Sequence, residues 1–197
     1  MSKKETMTPS TRRHLFDGLV RSAREFRQVH TFITVGMLLA LQLALKGIGF
    51  QLPFLRIGIA FIPEMVCAAF FGPLPAMLLG AGSDVLGYFL GLSGPGNFFP
   101  GFTVTALLAG LIYGSLLYQK PAGLLRFAIA KATVNIFLNI GLNTLWLSIL
   151  QGKGYLALLP LRITKNLVML PIEIALAFLV VSFLQKQRIM SRLSRPA

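Results

Sequence analysis

The stretch LLRFAIAKATVNIFLNIGLNTLWLSIL, residues 124–150, decides the fold. Arg126 and Lys131 are its only charges. As a helix it would be about 40 Å long at 1.5 Å per residue, more than the roughly 30 Å hydrocarbon core of a bilayer. Five more apolar blocks accompany it, at residues 31–48, 57–71, 74–91, 101–119 and 157–184. The expected fold is an all-α integral membrane protein, a bundle of six transmembrane helices. Proline and glycine punctuate it. Gly72-Pro73-Leu74-Pro75 and Gln119-Lys120-Pro121-Ala122-Gly123 read as tight turns, because proline fixes φ and ends the preceding helix. The second block is short and holds Pro63 and Glu64, so it is expected to be tilted or buried among the others rather than fully lipid-facing.

Composition agrees with a lipid environment. Of the 197 residues 55% are apolar and only 13% are charged, about half the charge of an average soluble domain. The net charge of +13 does not indicate nucleic acid, since no basic face interleaved with aromatics runs through a folded block. Instead, 13 of the 19 lysines and arginines lie in the two tails or around Lys120 and Arg126. Cytoplasmic loops attract such charge, so both ends and the turns near 73 and 121 are placed inside, and the loops near 52, 96 and 154 outside. Residues 1–30 form a basic cytoplasmic tail, 31–184 the membrane domain and 185–197 a second basic tail. Val20 to Val29 suits a short interfacial helix with Arg21, Arg24 and Arg27 toward lipid phosphates; a disordered tail is the alternative. The tail has no secretory signal pattern. The one cysteine, Cys67, excludes an internal disulfide or a cysteine metal cluster and reads as a packing residue.

Polar groups in hydrocarbon cost free energy unless paired, so they mark the places to examine. Asn135, Asn139, Asn143 and Trp146 follow one another at intervals of four, four and three, which puts them on one helical face. Amides suit a heterocycle with adjacent amino and carbonyl groups, and the indole offers a stacking surface. The alternative is interhelical hydrogen bonding with an interfacial tryptophan, the reading preferred for Asn135. Arg162, Lys165 and Asn166 share a face near the outer end of the sixth block, where two cations could clamp a carboxylate or reach lipid headgroups. The outer loop from Ser93 to Thr103 packs Gly94, Gly96 and Gly101 around Phe98, Phe99 and Phe102, a shaped lid rather than a plain aromatic belt. Glu64, Asp84 and Glu173 lie within spans, and Lys131 is the expected partner of Asp84. Gly36, Ala40 and Ala44 make a small-residue strip for another helix, inside the bundle or outside it. No paired catalytic carboxylates, nucleophile set or metal cluster is visible, which points away from an enzyme. Without a G-x-x-x-x-G-K-[ST] loop, any ATP hydrolysis falls to another subunit.

Arg56-Ile-Gly-Ile-Ala-Phe61-Ile-Pro63, Phe71-Gly72-Pro73, Gly80 to Asp84, Phe98-Phe99-Pro100-Gly101-Phe102-Thr103 and Gly110-Leu-Ile-Tyr113-Gly114 occur in this order. In this combination the chain, from about 31 to 184, resembles the folate-specific substrate-binding subunits (S components) of energy-coupling factor (ECF) vitamin transporters of the ABC class. The resemblance implies a six-helix receptor that takes folate or a reduced folate from outside. It also implies docking on a transmembrane coupling subunit with two ATP-hydrolysing subunits, and delivery by toppling in the bilayer. It places the chain in a prokaryotic cell membrane, with no cofactor. On that basis Asn143, Trp146, Phe98 and Phe99 are the candidates for the pterin ring and Arg56, Arg162 and Lys165 for the glutamate carboxylates. Phe61, Asn97, Pro100, Asn139 and Asn166 are further ligand-binding candidates, and Gly36, Ala40 and Ala44 are the candidates for the coupling-subunit interface. Related subunits take thiamine or riboflavin, and a non-transporting scaffold is the competing class. A self-powered carrier would need an internal repeat, and none is visible.

Overall fold

The computed structural model describes residues 29–48, 50–51, 56–57, 59–92, 98–120, 123–152 and 154–186. The expectations for residues 1–28 and 187–197 of the two tails, and for residues 93–97 with Asn97, therefore lie outside the described residues. Six helices follow in the expected order: α1 Val29–Ile48, α2 Phe61–Phe71, α3 Pro73–Phe89, α4 Pro100–Leu117, α5 Leu124–Gln151 and α6 Tyr155–Lys186. Between α1 and α2 a two-residue antiparallel pair, β1 Phe50–Gln51 and β2 Arg56–Ile57, sets Gln51 opposite Arg56.

By length and composition α1, α4, α5 and α6 can each cross a membrane. The shorter α2 is packed inside them: Pro63 to Ala69 and Phe71 are all buried. A helix of 11 residues is about 16 Å long and cannot face lipid across the whole core, so its burial among neighbours follows from its length. Gly72, at φ 90° and ψ −172°, separates α2 from α3, and Pro73 then opens α3 where its missing N–H costs nothing.

The tightest helix pair is α3 against α4, and glycine is the reason. A Cβ at Gly110 would lie 2.5 Å from the Ala76 carbonyl carbon, one at Gly114 would meet the Pro73 backbone, and one at Gly80 would lie 2.7 Å from the Ala106 carbonyl oxygen. Backbone-to-backbone approach through small residues is how helices gain packing energy in lipid, where no hydrophobic drive joins them. Around this seam the core closes with Met65, Cys67, Leu79, Tyr113, Phe127 and Val181.

Helix α5 departs from the uniform α-helix expected. Residues Val134–Leu142 form a π-helix, and the Asn143 backbone N–H reaches back five residues to the Leu138 carbonyl. Such widened turns are rare and favour functional sites. In α6, Pro160 and Pro171 each withhold a backbone N–H within a helix of 32 residues.

Candidate ligand-binding site

The widened turn of α5 carries a ladder of amides. Asn139 Nδ2 donates to Asn135 Oδ1 at 2.7 Å, and Asn143 Nδ2 donates to Asn139 Oδ1 at 3.1 Å. At one end Asn135 Nδ2 reaches Glu173 Oε2 at 3.5 Å, and the same oxygen pairs with Lys131 Nζ at 3.3 Å. The Lys131 ammonium also sits 3.5 Å from the centre of the Phe61 ring, a cation–π contact in a dry environment. Each amide thus spends its donor on the one below. At the other end Asn143 Oδ1 is buried with no hydrogen-bond partner. An unpaired buried acceptor costs about 1–3 kcal/mol, so this end of the ladder is chemically open.

Beside it stands an aromatic cluster. The Trp146 and Phe99 ring centres are 5.6 Å apart, and those of Phe99 and Phe102 are 6.0 Å apart. Trp146 Nε1 donates to Thr105 Oγ1 at 3.1 Å, and Thr105 donates to the Gly101 carbonyl at 2.9 Å. A Cβ at Gly101 would lie 2.5 Å from Phe99 Cε1 and 2.7 Å from Trp146 Cδ2, so only glycine lets both rings reach the first turn of α4. Phe98 turns the other way, onto Tyr88 at 5.3 Å. Thr103 donates to Asp84 Oδ2 at 2.8 Å, which ties this first turn to α3.

Residues 30–181 match the family described as ECF transporter, substrate-specific component. The chain belongs to that family. It is 32% identical over 170 residues to the folate transporter FolT of Clostridium novyi, covering 86% of this chain and 98% of that one. With the folate transporter FolT of Leuconostoc mesenteroides subsp. mesenteroides the identity is 34% over 158 residues, covering 77% and 84%. A solved structure of FolT bound with folic acid superposes with a TM-score of 0.70 at 31% identity, covering 78% of this chain and 93% of that one. The ECF S component is therefore a six-helix membrane protein in both pattern and fold.

Within that S-component frame the expected residues divide. Asn139, Asn143, Trp146 and Phe99 come together, and Pro100 opens α4 directly beside them. Phe61 offers one face to Lys131. Arg162 is half-buried, and among the described residues no carboxylate pairs with it. Asn166 donates its amide to the Arg162 carbonyl at 2.9 Å, so that donor serves its own helix. Lys165 is half-buried on the same stretch, and Arg56 is described through its backbone in β2. Gly36, Ala40 and Ala44 are all exposed, which removes internal packing as the account of the strip.

The ion pair expected between Lys131 and Asp84 is corrected: Lys131 pairs with Glu173, and Asp84 accepts from Thr103. Both acids lie within spans, and only the folded neighbours of α5 decide between them. Thr105 is a site residue that sequence reading missed. Its one signal is position, a hydroxyl one turn after Gly101 in the lid motif. An open groove of about 360 Å³ lined by Phe137, Gly141, Leu142, Leu145 and Tyr155 includes none of the ladder residues. Its lining is mainly apolar, and no amide or charged side chain lines it.

Proposed function

We propose that this chain is the high-affinity folate-binding subunit of an ECF-type importer, taking folate or a reduced folate from outside the cell. The observation that carries the reading is the buried, unpartnered Asn143 Oδ1 beside Trp146 and Phe99. A pterin supplies amino and ring N–H donors for such an acceptor and a flat face for the two rings. Relatives named folate transporters and a folic acid-bound relative favour folate over thiamine or riboflavin. The glutamate carboxylates are given to Arg162, Lys165 and Arg56, where guanidinium groups can bind in bidentate fashion. Asn97, Phe98, Pro100 and Asn166 complete the rim, and Asn139 backs Asn143.

Transport needs partners. The exposed strip Gly36, Ala40 and Ala44 is the docking face for a transmembrane coupling subunit that works with two ATP-hydrolysing subunits, and the S component delivers its ligand by toppling. The chain is itself non-catalytic and uses no cofactor. It lies in a prokaryotic cell membrane with both termini in the cytoplasm, as its basic tails require.

Isothermal titration of the detergent-solubilised chain with folate and 5-formyltetrahydrofolate is the test. Saturable one-to-one binding at sub-micromolar ligand is expected, and the absence of binding at micromolar ligand would sink the substrate assignment. Uptake into liposomes is expected only when the ATP-hydrolysing module is present.

A further inference from the structure

A second polar centre lies in the bundle, away from the asparagine ladder. Glu64, in the first turn of α2, is 7% exposed, and Gln42 of α1 is 3% exposed. The two side chains are within hydrogen-bonding reach of one another. Yet Glu64 Oε1 and Gln42 Oε1 are both buried with no hydrogen-bond partner. Two unsatisfied acceptors on neighbouring side chains from different helices call for something that donates.

The surroundings restrict what that can be. On α1, Lys46 Nζ donates to the Ser83 carbonyl at 2.8 Å and to Ser83 Oγ at 3.2 Å; on α3, Ser83 Oγ donates to the Gly80 carbonyl at 3.0 Å. On α5, Lys131 is paired with Glu173 of α6 at 3.3 Å. Tyr113 of α4 and Cys67 of α2 are the other titratable groups that sense Glu64. Lys131 is taken by Glu173 and Lys46 donates to Ser83, so among the described residues neither ammonium forms an ion pair with Glu64, and an ionised carboxylate there would be desolvated without a direct partner. Space is short as well. A Cβ at Gly80 would sit 3.0 Å from Glu64 Oε1 and 2.7 Å from the Ala106 carbonyl oxygen.

We infer that Glu64 is a proton-holding site, a neutral carboxylic acid paired face to face with the amide of Gln42. One proton, taken from water as the chain folds, bonds to a carboxylate oxygen and turns it into a donor. The acid O–H then donates to Gln42 Oε1, and the Gln42 amide donates back to the other carboxyl oxygen. A single proton satisfies both orphaned acceptors, spares a buried carboxylate its desolvation and needs no added volume. A water would leave the charge, and a metal cation would have to share the interior with the Lys131 ammonium. The pair clasps α1 to α2, on the side of α1 opposite Gly36, Ala40 and Ala44. It stands independently of which ligand or partner the chain takes.

Infrared spectroscopy of the full chain in detergent, carrying carbon-13 glutamate, tests this. The expected result at neutral pH is one isotope-shifted C=O stretch of a protonated carboxylic acid, sensitive to D2O. It should be absent from Glu64→Gln and moved in frequency by Gln42→Leu, which keeps the acid but removes its partner. The folded state would also hold one more proton than the unfolded chain, so the melting temperature of the unsubstituted protein should fall as pH rises above the ordinary carboxylate range, until the folded acid itself ionises. Glu64→Gln, a neutral near-isostere, should lose that slope. The band and slope are read on the unsubstituted chain even if a variant does not fold. No acid band at neutral pH would overturn the proposal, whether or not sodium or potassium ions then raise the melting temperature in its place.

Discussion

Trp146 is held by Thr105: the indole N–H donates to Thr105 Oγ1 at 3.1 Å, and the hydroxyl passes its own proton to the Gly101 carbonyl at 2.9 Å. The hydroxyl links the stacking ring on α5 to the first turn of α4. Thr105→Val keeps the shape and removes the link, leaving a partly buried indole donor without this partner. A lost neutral hydrogen bond costs about 1 kcal/mol, so folate binding should weaken about fivefold, and Thr105→Ser should restore it. Trp146 is the one tryptophan in the chain, so its fluorescence reads the ring directly. Unchanged affinity together with an unchanged emission maximum in Thr105→Val would contradict the arrangement.

The two ends of the amide ladder should respond differently. Asn143 ends in an open acceptor, whereas Asn135 is satisfied by Asn139 and Glu173. Asn143→Leu is expected to cost about 1–3 kcal/mol of binding, roughly 5- to 150-fold in Kd, with little change in melting temperature. Asn135→Leu should do the reverse, lowering the melting temperature because it strips a partner from a buried carboxylate. Titration and thermal unfolding of both variants separate the roles, and equal effects on binding would remove Asn143 from the site.

Arg162 is assigned to the carboxylate end of the ligand, and a truncated ligand can isolate that contact. A charged hydrogen bond contributes about 1.5–3 kcal/mol, so Arg162→Gln should weaken folate roughly 10- to 150-fold. A pteroate analogue without the glutamate should bind both forms of the protein alike. If the variant loses the same factor for both ligands, the arginine acts on the ring or on the fold instead.

Much of this architecture is legible in the residues themselves. Blocks of apolar sequence bounded by Gly72-Pro73 and by Pro121 mark helix ends because proline and glycine act locally, and the ladder is visible because its spacing is helical. What is not legible depends on neighbours in space. The pairing of Lys131 with Glu173 instead of the expected Asp84 shows only when α6 is seen packed beside α5. The π turn of Val134–Leu142 leaves the side-chain period almost unchanged, so the stack of amides survives while the backbone beneath it widens unseen. Thr105 escaped because a threonine in a span usually bonds its own helix; it does so here, and holds Trp146 as well.

The corrected ion pair makes its own prediction. Lys131 is buried and Glu173 is partly buried beside it, with Asn135 and the Phe61 ring in contact. Removing one charge strands the other in a medium of low dielectric constant. Lys131→Met should therefore destabilise by about 3–5 kcal/mol, and the double variant Lys131→Met/Glu173→Met should recover most of the loss. Asp84→Asn combined with Lys131→Met should show no recovery, since Asp84 is paired with Thr103. Melting temperatures of the four proteins decide the matter, and recovery with Asp84 rather than Glu173 would restore the pairing first expected.

The exposed strip on α1 can be separated from the site by bulk alone. A Cβ at Gly36 would meet nothing within 4 Å, and Ala40 and Ala44 are exposed, so larger residues there cost the isolated bundle no clash. A partner helix that approaches through these positions does so only because they are small. Ala40→Leu should therefore leave folate affinity and melting temperature unchanged. The same variant should lose co-purification with the coupling subunit and ATP-driven uptake in liposomes, and the effect should be larger for Ala40→Trp. Lys46 supplies the contrast: it faces inward to Ser83 on the same helix, so Lys46→Met should lower the melting temperature rather than affect docking selectively. Uptake by Ala40→Trp at the unsubstituted rate would place the docking face on another helix.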